Sequence, residues 1–132
     1  MKLLNYKDKN DLEEIEKLLY EEYIVNGMNR GFWNNIEIIR ENLKHLKIIK
    51  EKAQFIGFCL MQKDNITPSI IWLKTENRKQ GIGKKLISQL EKKAKKKEKK
   101  YMTVIVIDES IQFWSKLGYK FEINTDKMIK LL

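Results

Sequence analysis

Arg78-Lys79-Gln80-Gly81-Ile82-Gly83-Lys84-Lys85-Leu86 sets two glycines and a basic loop between a run that reads as a strand and one that reads as a helix. The run before it, Ser69-Ile70-Ile71-Trp72-Leu73, is apolar, β-branched and aromatic, the composition of a buried strand. After it, Ile82, Leu86, Leu90 and Ala94 recur every four residues with Lys, Gln and Glu between them, so a helix starting near Gly81 or Ile82 presents one apolar stripe. The first turn of such a helix holds N–H groups without intrahelical partners, and the positive end of its dipole faces the glycine loop. Glycines at 81 and 83 carry no Cβ to keep an anion from the backbone, so the stretch predicts a phosphate cradle.

Spacing chooses among the phosphate loops. A Walker A loop needs a Gly where Arg78 stands and a hydroxyl where Lys85 stands, and a dinucleotide fingerprint needs Gly or Ala in place of Leu86. The pattern that fits is Arg/Gln-x-x-Gly-x-Gly/Ala after a strand, as Arg78, Gly81 and Gly83, and it resembles the acetyl-CoA pyrophosphate loop of the GNAT N-acetyltransferase superfamily. A helix start with a plain glycine turn is the competing reading of a lone Gly-x-Gly.

Outside the loop, 132 residues suit one domain, residues 1–132, that buries a core without staples. The single cysteine, Cys59, excludes an intramolecular disulfide and a cysteine-based metal cluster, and no metal is called for. The stretch Met1 to Lys7 lacks a sustained apolar run of the kind a leader has, and the longest uncharged run, Ala53 to Gln62, is too short to span a bilayer, so a cytoplasmic protein without membrane attachment is expected. Of the net charge of +9, residues Glu91 to Lys100 alone carry +5. On a helix those lysines surround the Ala94 edge of the stripe, so they read as a solvated face, with CoA phosphates or RNA as the alternative partners.

In chain order, Met1 to Tyr6 reads as a first strand, and Leu12, Ile15, Leu19 and Tyr23 as a helix running through Val25 to Asn26-Gly27. A second helix is expected from about Phe32 to Leu46, and Tyr20, Tyr23, Phe32 and Trp33 read as core or rim aromatics. Lys47 to Glu51 and Phe55 to Met61 form a hairpin, with Cys59 a small buried hydrophobe. His45, the one histidine, reads as a surface or rim residue. After the lysine run, Tyr101 to Ile107 is a continuous β-branched strand, expected to run parallel to the strand before the loop in a right-handed βαβ unit. Ser110 to Leu117 reads as a short helix closed by Gly118, and Tyr119 to Ile123 with Lys127 to Leu132 as a final hairpin.

Phe113-Trp114-Ser115-Lys116-Leu117-Gly118-Tyr119 resembles a second GNAT segment, Phe/Leu-Tyr-x-Lys-Leu-Gly-Phe, at the right distance after the loop. The resemblance implies an α/β (α+β) fold: a mixed, mostly antiparallel sheet of about 6–7 strands, with a parallel pair flanking the loop helix, and about four helices. It implies acetyl-CoA as cosubstrate and an amine acceptor. By that resemblance Arg78, Gln80, Gly81, Ile82, Gly83 and Lys84 hold the pyrophosphate, and Leu73 and Thr75 meet pantetheine through backbone groups. The family's proton-donating Tyr falls at Trp114, whose indole is too weak an acid, and the Asn common seven residues earlier is Ile107.

With that acid missing, Glu76 is the nearest candidate base to the cleft in sequence, with Asp108 and Glu109 across it, and Ser110, Tyr119 or water are the candidate acids. The expected activity is N-acetylation of a primary amine by direct attack in a ternary complex, by a monomer or a homodimer. The alternatives are a CoA-binding module of weak or absent activity and a basic RNA-associated protein, for which charge is the one argument.

Overall fold

The computed structural model describes residues 1–22 and 35–132, and there the chain forms seven strands and four α-helices. Strands β1 (Lys2–Asn5), β2 (Leu46–Glu51), β3 (Gln54–Met61) and β4 (Pro68–Leu73) pair in that order, each antiparallel to the next. A second antiparallel sheet holds β5 (Tyr101–Ile105), β6 (Lys120–Phe121) and β7 (Lys127–Leu131) in the order β5-β7-β6. The helices are α1 (Lys9–Tyr20), α2 (Ile36–Arg40), α3 (Ile82–Lys96) and α4 (Ile111–Lys116).

Alternation along the strands divides the core in two. Ile70 and Trp72 of β4 pack with α1 and α2 on one face of the first sheet. Ile71 and Leu73, one residue on in each case, face the cluster built from α3, α4 and the second sheet. The α3 stripe lies where its period placed it, with Ile82, Leu86, Leu90 and Ala94 buried and Ile87 beside them. On α1, Asp8 caps the N-terminus by accepting from the Asn10 N–H at 2.9 Å, and Ile15, Leu18 and Leu19 are buried. Each such side chain contributes about 1.5–3 kcal/mol on burial. That outweighs the partly exposed pairs Asp11–Lys50 and Glu14–Lys74, worth about 0–1 kcal/mol each, so the apolar face holds α1 down. Beyond Tyr20 the helix widens into a π turn at Glu21 and Glu22.

The second helix is shorter than its spacing predicts. It stops at Arg40, the Asn42 side-chain amide donates back to the Ile38 carbonyl at 2.7 Å, and Leu43–His45 follows as a 3-10 turn into β2. Leu43 and Leu46 keep the spacing of three because a 3-10 turn shares it, so periodicity alone could not mark the end. Phe32 and Trp33, like Tyr23 and the expected stop at Asn26-Gly27, lie outside the described residues. Tyr20 stands exposed and does not pack the core. The β2–β3 connection is the two-residue turn Lys52-Ala53, both left-handed, the backbone of a type I′ hairpin formed without glycine.

Strands β4 and β5, expected as a parallel pair, share no ladder. They are clasped by one side chain, Gln62, whose Nε2 donates to the Pro68 carbonyl at 3.2 Å and to the Thr103 carbonyl at 3.1 Å. With the backbones joined through a side chain and not by a ladder, room remains between the two sheets, and a cavity of about 320 Å³ fills it.

Candidate active site between the two sheets

The cavity has β4 as one wall and β5 with its continuation as the other. Ile71 and Leu73 face Val104, Ile105 and Ile107, and Phe113 and Trp114 of α4 close the space between them. The β4 wall also offers backbone. Lys74 N–H donates to the Ile56 carbonyl at 2.8 Å, so Lys74 and, two residues back, Trp72 direct their backbone groups at β3. Alternation then turns the N–H and C=O of Ile71 and Leu73 to the opposite edge, toward the cavity.

The glycine loop stands at one end of this space. Lys79 and Gly81 both adopt positive φ, 61° and 78°, which curls the chain into α3. Gly81 is the N-cap and provides no capping side chain, and the first intrahelical bond is Lys85 N–H to Gly81 C=O at 3.0 Å. The N–H groups of Ile82, Gly83 and Lys84 thus have no intrahelical acceptor. Around Gly81 an added Cβ would meet nothing within 4 Å, so its backbone is open to an approaching group. Gly83 has a different reason to be glycine: a Cβ there would lie 2.9 Å from Cε1 of Phe113, so the ring of α4 takes the space that had been expected for an anion. Ile82 sends its side chain into the core, Lys84 is exposed, and the Gln80 side-chain amide donates to the Glu76 carbonyl at 2.8 Å, tightening the loop.

Arg78, the first motif residue, lines the cavity but is held from behind. Its Nε donates to the Leu73 carbonyl at 3.0 Å, its Nη2 donates to the Glu22 carboxylate, and its guanidinium lies 5.8 Å over the Trp72 ring. Glu22 is 1% exposed. Sequence reasoning missed it, because a Glu in the run Glu21-Glu22 at the end of a charged helix reads as solvated. The one sign available was the helical spacing of the buried Ile15, Leu18 and Leu19, which carries the inward face of α1 on to position 22.

The catalytic candidates separate in space. Trp114 and Ser110 line the cavity, and so does Glu109. Ser110 Oγ donates to the Ile107 carbonyl at 2.9 Å and accepts from the Ile107 N–H at 3.3 Å. Trp114 is buried edge-on between Phe113 and Tyr119, with ring centroids at 5.1 and 5.0 Å. Tyr119 does not line the cavity. Its hydroxyl donates to Glu91 at 3.2 Å, and burial together with the Glu91 carboxylate raises its pKa, so it is a fixed core phenol. Glu76 is exposed on the 3-10 turn Thr75–Asn77 and is not among the lining residues, and Asp108 lines a separate hollow with the final hairpin. Cys59 is buried and burial raises its thiol pKa, as suits a small hydrophobe. His45 is tied to Asn65 at 2.7 Å, away from the cavity.

Residues 12–128 match the family described as an acetyltransferase (GNAT) domain. The fold is shared with a GCN5-related N-acetyltransferase from Rhodopseudomonas palustris, 16% identical with a TM-score of 0.74 over 99% of this chain and 95% of that one. It is shared too with the PaiA N-acetyltransferase of Thermoplasma acidophilum in complex with coenzyme A, 19% identical, TM-score 0.71, over 99% and 98%. An aminoglycoside 6′-N-acetyltransferase complexed with coenzyme A is 17% identical, TM-score 0.63, over 99% and 97%. No curated protein sequence matches the chain. Among the described residues no helix is long and apolar enough to cross a membrane.

Proposed function

Because the chain belongs to the GNAT acetyltransferase domain family, we propose that residues 1–132 act as one such domain, moving the acetyl group of acetyl-CoA directly to a primary amine bound beside it. One observation carries this reading: the uncapped N-terminus of α3 adjoins an apolar cavity whose β4 wall turns backbone groups inward. The two ends of that space suit the two ends of the cosubstrate. The amides of Ile82, Gly83 and Lys84 and the helix dipole suit a pyrophosphate, and the β4 edge, with the Ile71 backbone groups and the Leu73 N–H turned to the cavity, suits an extended amide-bearing arm.

Acetyl-CoA supplies an acyl group already activated as a thioester. The chain supplies position and charge. Holding amine and acyl carbon together in one cavity removes the entropy cost of their encounter. The Leu73 N–H is the donor we assign to the acyl oxygen, where negative charge develops, and apolar walls make such a donor stronger than it is in water. Two protons also move. Glu109, on the lining, takes the amine's proton directly or through water, and water, directly or relayed by the Ser110 hydroxyl, returns one to the departing thiolate, since the Trp114 indole is too weak an acid.

The test is a thiol-release assay with acetyl-CoA against small amines, polyamines and peptides, run beside a thermal-shift titration. Turnover with at least one amine, and stabilisation by acetyl-CoA well beyond that by ATP or NAD, is the expected result. A second reading, a CoA-binding module without catalysis, is favoured by Trp114 standing where the family's acid stands. Tight acetyl-CoA binding with no turnover on any amine selects it, and no acetyl-CoA binding at all defeats both.

A further inference from the structure

We propose that Glu22 is a positioning residue for acetyl transfer, acting through Arg78 to fix the exit of β4 so that Leu73 offers the cavity its N–H and not its carbonyl. This rests on the function proposed above. Glu22 and Arg78 are 56 residues apart in sequence, so their bond ties the end of α1 to the start of the glycine loop.

The pair is unequal in what each member needs. The Glu22 side chain is 2% exposed and the Arg78 side chain 34% exposed. A carboxylate withdrawn from water that far is costly unless it is paired, so Glu22 depends on Arg78. Arg78 depends on the pair less, because about a third of its side chain still meets water and its Nε has the Leu73 carbonyl. What Glu22 gives Arg78 is therefore direction. A guanidinium is a rigid planar fork, and fixing Nη2 on Glu22 while Trp72 lies beneath the plane leaves Nε one place to point, the Leu73 carbonyl at 3.0 Å. That bond consumes the acceptor at the last residue of β4 and leaves the Leu73 N–H, turned to the cavity, as the group available there.

A consequence separates this role from phosphate binding. With two donors and its face engaged, Arg78 contributes a boundary to the cavity and little to holding an anion, although its place in the motif suggests the reverse. Loosening the bond should misplace the Leu73 N–H, which acts on the acyl oxygen, and should barely alter the α3 amides that bind the cosubstrate.

The experiment compares wild type, Glu22→Gln, Arg78→Lys and the double variant in steady-state acetyl transfer, well below the melting temperature of each. Glu22→Gln keeps the shape and removes the charge; Arg78→Lys keeps the charge and removes the fork. Each single change is expected to lower kcat by about 10- to 100-fold with KM for acetyl-CoA within about threefold, and the double variant to be no worse than the poorer single one. An unchanged kcat in Glu22→Gln, losses that multiply in the double variant, or a raised KM at constant kcat overturns the proposal; the last returns Arg78 to phosphate binding.

A readout independent of turnover is hydrogen exchange at the Lys74 amide, which is bonded to the Ile56 carbonyl at the β4 exit. It should exchange about tenfold faster in Glu22→Gln while the Leu60 amide, in the sheet interior, does not change. Equal exchange in both proteins overturns the proposal even if wild type proves inactive. Wild type that fails to bind acetyl-CoA removes the function reading, and this inference with it.

Discussion

The two ends of α3 handle charge differently. At its N-terminal end two cations are held by carboxylates, Arg78 by Glu22 and Lys74 by Glu14, while Lys84 and Lys85 stay exposed, and the first turn adds backbone N–H beside an apolar cavity. At its C-terminal end Lys93 and Lys97 converge with Lys44 and Lys47 on a hollow of about 580 Å³, and among the described residues none of the four has a carboxylate within ion-pair distance. Asp64 lines that hollow but is committed to its own loop and to Lys99. These four lysines lie away from the cavity, and of them Lys47 is half-buried and donates to the Asn5 side chain. The larger and more charged hollow is the less specific one, because solvated ammonium groups fix no geometry while three amides of one helix turn fix three directions.

The largest expected effect separates the two ends directly. Acetyl-CoA at about a hundredfold over its Kd should stabilise the folded protein by roughly 2.7 kcal/mol, a rise of about 5 to 15 °C in melting temperature. Gly83→Asp should abolish that rise, since it sets a side chain against Phe113 and a negative charge among the α3 amides. Lys93→Gln with Lys97→Gln should preserve it. A shift lost in the lysine variant and kept in Gly83→Asp would place the anion at the lysine end of the helix, away from the cavity.

Trp114→Tyr comes next in size. A phenol at the family's acid position should raise turnover at least tenfold, toward the roughly 10²- to 10⁴-fold that acid catalysis is worth, with little change in acetyl-CoA affinity. Trimming a buried ring that packs on Phe113 and Tyr119 should cost about 1–2 kcal/mol of stability. Tyr119→Phe should leave turnover within about twofold, because the phenol it removes donates to Glu91 and not into the cavity. A tenfold loss in Tyr119→Phe with no gain in Trp114→Tyr would reverse the two assignments.

The glycine loop was legible because its information is local: glycine spacing, a β-branched run before and a four-residue apolar repeat after. The order of elements along the chain and the α3 stripe followed from the same kind of pattern, whereas the expected parallel pairing of β4 with β5 did not form. What was hidden depends on contacts across long stretches of chain. Nothing around Glu22 marks it as Arg78's partner, and Gly83 gave no sign that Phe113 rather than an anion fills the space above it. Tyr119 shows the same limit at short range. It lies five residues from Trp114, yet the intervening Leu117-Gly118 turn, with Gly118 at φ 93°, sends its hydroxyl to the α3 side.

Asp64 gives a smaller effect, on stability, at the lysine end. Burial acts to raise its pKa, but bonds from the Thr67 hydroxyl, the Thr67 and Ile66 amides and Lys99 outweigh that and hold it at about 2. Its unfolded value is higher, so the unfolded chain takes up the proton first and stability falls as pH drops from about 5 toward 2. Asp64→Asn should cost about 1–2 kcal/mol at neutral pH and flatten this acid limb of the melting-temperature profile. An acid limb as steep in the variant as in wild type would assign the loss to other carboxylates.

The smallest effect is the most direct measure of repulsion within the lysine hollow. Lys47 is half-buried, and burial together with Lys93 lowers its pKa, so the folded protein holds that proton less tightly than the unfolded chain does. Stability contributed by this group therefore rises as pH climbs toward the unfolded lysine value. Lys93→Gln removes one repelling charge and should stabilise the fold by roughly 0.2–0.5 kcal/mol at low salt. Added salt screens the same repulsion, so raising ionic strength should stabilise wild type more than the variant. Chemical denaturation at two salt concentrations measures both differences. A variant that is less stable than wild type at low salt would mean that Lys93 is satisfied where it stands, and the contrast between the two ends of α3 would rest on the cavity alone.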